Sequence, residues 1–186
     1  MAILQHMPSH PAQLIIFDCD GVLLDSEIIA ARAHAKAFHR AGILISETEL
    51  VRRLTGITDP EMYRILESEN GTTLPDGNDE DVKSDLERDF REELRAVDGV
   101  HQMLAGITLP ACVASSSSPS KLKLGLTQVG LYGRFAPHIF SASAVARGKP
   151  APDVFIYAAQ QMQTDPSTCW VVEDSVAGVR AGIAAA

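Results

Sequence analysis

The chain has 186 residues, 46% of them hydrophobic, which suits one domain with a real core, or one domain carrying a small insertion. Its 24 acidic and 16 basic side chains leave a formal charge of −8. That balance repels nucleic acid and anionic membrane and favours a small-molecule partner; an anionic one would need a metal or a local cation to receive it.

No apolar run reaches the length of a membrane span. Residues 1–13 hold two prolines, two histidines and no basic segment, so we expect a disordered leader and no signal peptide. Leu14-Ile15-Ile16-Phe17 is a short continuous apolar run, the pattern of a strand buried on both faces. From Ser26 to about Val97 only helical patterns follow. Ile28, Ala31, Ala35 and Phe38 share one face of a helix that stops at Gly42. Further helices are expected near 46–54 and 59–69, with a turn at Pro75-Asp76-Gly77. Val82, Leu86, Phe90 and Leu94 then form a stripe on a heavily charged helix, whose charges read as a solvated face. Ala111-Cys112-Val113-Ala114 and Cys169-Trp170-Val171-Val172 are strands of the first kind, and His138-Ile139-Phe140 is a weaker one. Helices are expected around 119–129, 152–162 and 175–184. Strands alternating with helices predict an α/β fold with a doubly wound parallel sheet. The core comprises 14–25 and 98–186, and 26–97 forms an inserted all-helical cap. Cys19, Cys112 and Cys169 are odd in number and lie in or beside strands, which suits small buried side chains of a reduced, cytoplasmic protein.

In an open parallel sheet, ligands bind beyond the carboxyl ends of the strands. The three strong strands deliver Asp18 and Asp20, Ser115 and Ser116, and Glu173 and Asp174 at those ends. A single acid there often only caps a helix, but four converging carboxylates repel one another unless a cation neutralises them. Hard oxygen donors with room for water suit Mg²⁺. Asp18 and Asp20 are two apart and point the same way if the strand geometry continues. One can then attack phosphorus while the other handles a proton. Ser118-Pro119 reads as a helix N-cap, whereas Ser115, at the strand end itself, reads as a phosphate ligand. Lys149 could be a plain surface lysine. Its place between glycine and prolines in Gly148-Lys149-Pro150-Ala151-Pro152-Asp153 favours a fixed ammonium that balances the carboxylates and a phosphate.

Asp18-Cys19-Asp20-Gly21-Val22, the Ser115 strand end, the Lys149 segment and Glu173-Asp174-Ser175-Val176-Ala177-Gly178 resemble, in order and spacing, the four motifs of the haloacid dehalogenase-like (HAD) hydrolase superfamily. The resemblance runs from Leu14 onward and is nearest to the β-phosphoglucomutase-like and 6-phosphogluconate phosphatase-like group with a helical cap. It implies that Asp18 forms an aspartyl-phosphate and that Asp20 serves as general acid, then base. It further implies that Ser115 and Lys149 bind the phosphoryl group. Mg²⁺ would be held by the Asp18 carboxylate, the Asp20 carbonyl and the Glu173-Asp174 pair. Asp20 sets the chain apart from the dehalogenase branch, which lacks it.

Where β-phosphoglucomutases carry a cap histidine and a cap arginine, this sequence has Ala30 and Asp59. An acid at 59 repels the second phosphate of a bisphosphate, so a phosphatase of sugar phosphates or sugar-acid phosphates is favoured over a mutase. A receiver-type phospho-acceptor domain is disfavoured by the cap and by the second aspartate. Cap contacts to substrate are expected near Thr55-Gly56-Ile57-Thr58 and from Arg52 or Arg53, for which ordinary surface charge is an equal reading; Ser116 is expected beside the phosphate. Family members usually continue with one more strand, so we expect the strand ending in Glu173-Asp174 to be an open edge, either left by truncation or covered by a second copy in a homodimer. An inactive relic is the alternative outcome.

Overall fold

The computed structural model describes residues 11–54, 57–75 and 78–186. The first ten residues of the expected leader, Thr55, Gly56 and the Asp76-Gly77 part of the expected turn lie outside them.

Four short strands form one parallel sheet: β1 (Leu14–Phe17), β2 (Ala111–Ser115), β3 (Ile139–Ser141) and β4 (Cys169–Val172), in the order β3-β2-β1-β4. Their registers place Phe17 opposite Val113 and Val172, so β1 and β4 end level and β2 runs two residues further, to Ser115. β1 is central, and all four of its side chains are buried, which is why its sequence is continuously apolar and not alternating. The backbone N–H of Gln13 donates to Thr168 O at 2.9 Å, so the chain is tied to the sheet one residue before the boundary drawn from sequence.

Between β1 and β2 the described residues contain helices and no strand of the sheet: α1 (Glu27–Arg40), α2 (Glu47–Leu54), α3 (Asp59–Asn70), α4 (Asn78–Glu93) and α5 (Val100–Gly106). The remaining helices are α6 (Pro119–Gln128), α7 (Tyr132–Phe135), α8 (Asp153–Gln161) and α9 (Val176–Ala185). The expected α/β architecture with a helical insertion is thus present, with α5 and α7 added to what periodicity suggested.

Two corrections concern α1 and α4. Ile28 is exposed and does not share the buried face of α1. The helix is instead buried along two stripes: Ile29, Ala33 and Ala37 join the cluster under the sheet, while Ala31, Ala35 and Phe38 join a separate cap cluster with Leu50, Met62 and Leu66. Small alanines let α1 sit between two layers of neighbours. On α4 the stripe of Val82, Leu86 and Phe90, continued by Leu94, is buried as expected. Part of its charged face is not simply solvated, since Arg32, Lys36 and Arg40 of α1 pair with Glu93, Asp89 and Asp81. The Arg32–Glu93 and Arg40–Asp81 pairs are exposed and worth about 0–1 kcal/mol each, whereas Asp89 of the Lys36 pair is buried, so the apolar stripe does most to hold the two helices together.

β4 pairs with β1 on one side and, among the described residues, with no strand on the other; Trp170 and Val172 are partly exposed there. No described helix is long and apolar enough to cross a membrane.

Candidate active site

The floor of the site is made at the ends of β1, β2 and β4. Asp18 N–H donates to Val172 O at 2.9 Å, carrying the β1–β4 ladder one residue past the strand and fixing Asp18 beside Glu173. The chain then turns back, with Gly21 at φ +74°. A Cβ there would overlap the Asp174 carboxylate, so glycine both permits the left-handed turn and leaves room for an acid.

Lys149 crosses the floor. Its side chain is fully buried, with Nζ 2.5 Å from Glu173 Oε1 and 2.8 Å from Asp18 Oδ1, and it lies over the Phe155 ring. Burial pulls its pKa down, but Asp18 and Glu173 outweigh that and hold the ammonium above its ordinary range. Glu173 is used on both sides: Oε2 accepts from the Ser175 backbone N–H and hydroxyl at 2.8 and 2.9 Å, and Ser175 caps α9 through Gly178 N–H. Asp18 is pushed up to about 7, first by burial, with Glu173 and Asp20 adding to it against the pull of Lys149. Asp174 is pushed up to about 6 by burial, Glu27 and Glu173.

Asp18, Glu173 and Asp174 bring one carboxylate oxygen each to within 4.8 Å of one another. Asp18 Oδ1 is buried and accepts no well-aligned hydrogen bond, having only the ion-pair contact with Lys149. Three hard oxygen donors brought this close, two of them, Asp18 and Asp174, raised in pKa chiefly by burial, fit a divalent cation such as Mg²⁺.

Asp20 is held differently. Its carboxylate accepts from Ser26 Oγ at 2.5 Å and Ser117 Oγ at 2.6 Å, with Lys121 Nζ at 3.4 Å from Oδ1. Burial works upward on its pKa, but Lys121 and the two serines bring it below the usual value. Ser115 is buried, and its Oγ accepts from Ser117 N–H at 3.1 Å, while Ser141 Oγ donates to Ser117 O and pins the loop. Ser118 is the N-cap of α6, accepting from Lys121 N–H, as its sequence implied.

Asp18, Asp20, Ser115 and Ser116 line one cleft between sheet and cap, together with Ser117 and Lys121. Lys149 lies beneath it. Across the cleft stand His34, Asp59 and the apolar Leu50, Ile57 and Met62. Of the cap residues expected at the substrate, Gly56 is outside the described residues. Thr58 lies beside Gly148 of the lysine segment, and Arg53 is drawn to Glu49 and Glu69, at 3.2 and 2.7 Å. Neither Thr58 nor Arg53 lines the cleft. His34, Lys121 and Ser117 were not singled out from sequence. His34 sits one turn beyond Ala30, on the apolar stripe of α1, where a histidine reads as ordinary core.

The model of the haloacid dehalogenase-like hydrolase family matches residues 12–186. The chain belongs to the haloacid dehalogenase-like hydrolase family. Among its HAD relatives, the 6-phosphogluconate phosphatase of Escherichia coli is 34% identical over 172 residues, covering 92% of this chain and 78% of that one. A solved haloacid dehalogenase-like protein of Agrobacterium tumefaciens shares 40% identity at a TM-score of 0.77, over 94% of this chain and 79% of that one. A HAD hydrolase of Deinococcus radiodurans, solved with phosphate and sodium bound, shares 31% at 0.70, over 94% and 78%. The family expected from the four motifs is borne out, and the name of the Escherichia coli relative, with the hydrolase family itself, supports a phosphatase.

Proposed function

We propose that this HAD hydrolase is a magnesium-dependent phosphatase of a small phosphorylated sugar or sugar acid, acting through an aspartyl-phosphate on Asp18. The observation that carries this reading is the meeting of Asp18, Lys149 and Asp174 on the floor of a cleft that Asp20 and Ser115 also line. Mg²⁺, when bound, would neutralise charge on the phosphoryl oxygens and be held by the Asp18 and Asp174 carboxylates with the Asp20 carbonyl. Glu173 belongs to the same cluster, but both its oxygens already serve Lys149 and Ser175. We therefore give it the task of fixing Lys149.

In the first step a carboxylate oxygen of Asp18 attacks phosphorus, the ester P–O bond breaks, and the departing oxygen takes a proton from Asp20. In the second, water attacks the aspartyl-phosphate, gives its proton to Asp20, and frees Asp18 and inorganic phosphate. Ser115 and Lys149 bind the phosphoryl oxygens throughout. The hydrogen bonds from Ser26 and Ser117 and the Lys121 charge favour ionised Asp20, the form needed in the second step. A phosphomutase must retain a bisphosphate, and Asp59 on the cap wall opposes that. Its three cysteines are free thiols, which suits a reducing compartment such as the cytoplasm.

The test is phosphate release from a panel of sugar and sugar-acid monophosphates, with and without Mg²⁺. Metal-dependent release, lost in Asp18→Asn, is expected. Unimpaired turnover by Asp18→Asn would remove the nucleophile assignment. Conversion of a hexose 1-phosphate to the 6-phosphate would favour the mutase.

A further inference from the structure

The cleft has two unlike walls. The sheet side offers the carboxylates, serines and Lys121; the cap side offers His34, Asp59 and aliphatic side chains. Lys121 is the one lysine or arginine among the described residues lining the cleft; its ammonium lies 3.4 Å from Asp20 and its charge is shared with Asp59. His34 is buried, with Tyr63 Oη 3.4 Å from Nδ1 and Asp59 Oδ1 3.5 Å from Nε2, so both ring nitrogens are already addressed. Arg53, which could have served an anion, is turned to Glu49 and Glu69. The Asp59 carboxylate is half exposed, steadied on its buried side by His34, and keeps oxygen lone pairs for a ligand.

We propose that Asp59, set by His34, is a specificity-determining residue that admits phosphate monoesters with a neutral, hydroxyl-bearing far end and rejects those ending in a carboxylate or second phosphate. This rests on the phosphatase reading of the same site. A hydroxyl donates to the Asp59 carboxylate, and the carbon chain packs on Leu50, Ile57 and Met62. A second anion finds in the cleft only Lys121, whose charge Asp20 and Asp59 already share, and meets the Asp59 carboxylate as a like charge. The 34% identical relative is named for a sugar-acid phosphate; this chain is expected to prefer the polyol of the same length.

The experiment is calorimetric binding of glucitol 6-phosphate and 6-phosphogluconate, with Mg²⁺, to chains carrying Asp18→Asn so that neither ester turns over. These ligands differ at the end far from phosphate. The chain with Asp59 intact is expected to bind the polyol ester at least about tenfold more tightly. Asp59→Asn should bring the two affinities together, and Asp59→Lys should reverse their order, which a merely structural role would not do. Equal or tighter binding of 6-phosphogluconate with Asp59 present, an unchanged ratio in Asp59→Asn, or binding of neither ester would overturn the assignment. Hydrolysis by the unsubstituted chain is read separately. Discrimination without turnover upholds Asp59 and removes the phosphatase reading instead.

Discussion

Lys149 sits where two carboxylates would otherwise confront each other in a space closed to water. Its ammonium touches both, and neither can turn to solvent for relief. Lys149→Met should therefore cost about 3 kcal/mol near pH 8, where Asp18 is ionised, because it leaves buried charge unpaired. Urea unfolding in EDTA measures this. Saturating Mg²⁺ should recover part of the loss by taking over the counter-charge, and an equal loss with and without metal would count against the shared site. At this scale the sequence was informative where chemistry sits on a strand end: Asp18, Asp20, Ser115, Glu173 and Asp174 were all legible as acids or serines ending apolar runs. Lys121 and His34 were not. Each comes to the cleft from a helix whose rotation is fixed by packing, and nothing in the spacing of residues 34, 59 and 121 announces that they meet.

The start of α9 shows how an element is fitted to that floor. Gly178 lies against the Glu173 carboxylate so closely that a Cβ would overlap it, whereas a Cβ on Gly182 would lie 3.4 Å from Val171, in ordinary contact. Helix propensity alone favours alanine over glycine by about 1 kcal/mol at both. Gly182→Ala should stabilise the fold by about 0.5–1 kcal/mol. Gly178→Ala should instead lower stability, because Glu173 must move off Lys149 and Ser175. Thermal melts of the two variants decide this, and a gain from both would show that Glu173 moves freely. Long elements were readable because burial on one side leaves a period in the sequence. α5 and α7 are too short to leave one, and α1, buried along two stripes, invited the wrong placement of Ile28.

Over the whole molecule the carboxylates of the site work against the fold when no cation is present. Asp18 and Asp174 have folded pKa values near 7 and 6, above their ordinary 3.8, so the folded state holds more protons than the unfolded one in between. Their contribution to stability is full below about pH 4 and declines as pH rises towards about 7. In EDTA the melting temperature is expected to fall between about pH 5 and about pH 7, and Asp18→Asn should flatten that slope. Added Mg²⁺ should stabilise more at the upper end, since it binds the ionised form. A melting temperature that rises across this window in EDTA would contradict the assignment.

Strand order also sets an order in time. β4 is the last of the four strands to be synthesised, yet it lies against the first. The chain between them, cap included, must close as one long loop before Glu173 and Asp174 can reach Asp18. Until β4 is made, Asp18 and Lys149 lack Glu173 and Asp174 beside them. The cluster of Asp18, Glu173 and Asp174 carboxylates therefore assembles late and all at once. Phosphate-ester chemistry at Asp18 must then wait for the strand that pairs with it last.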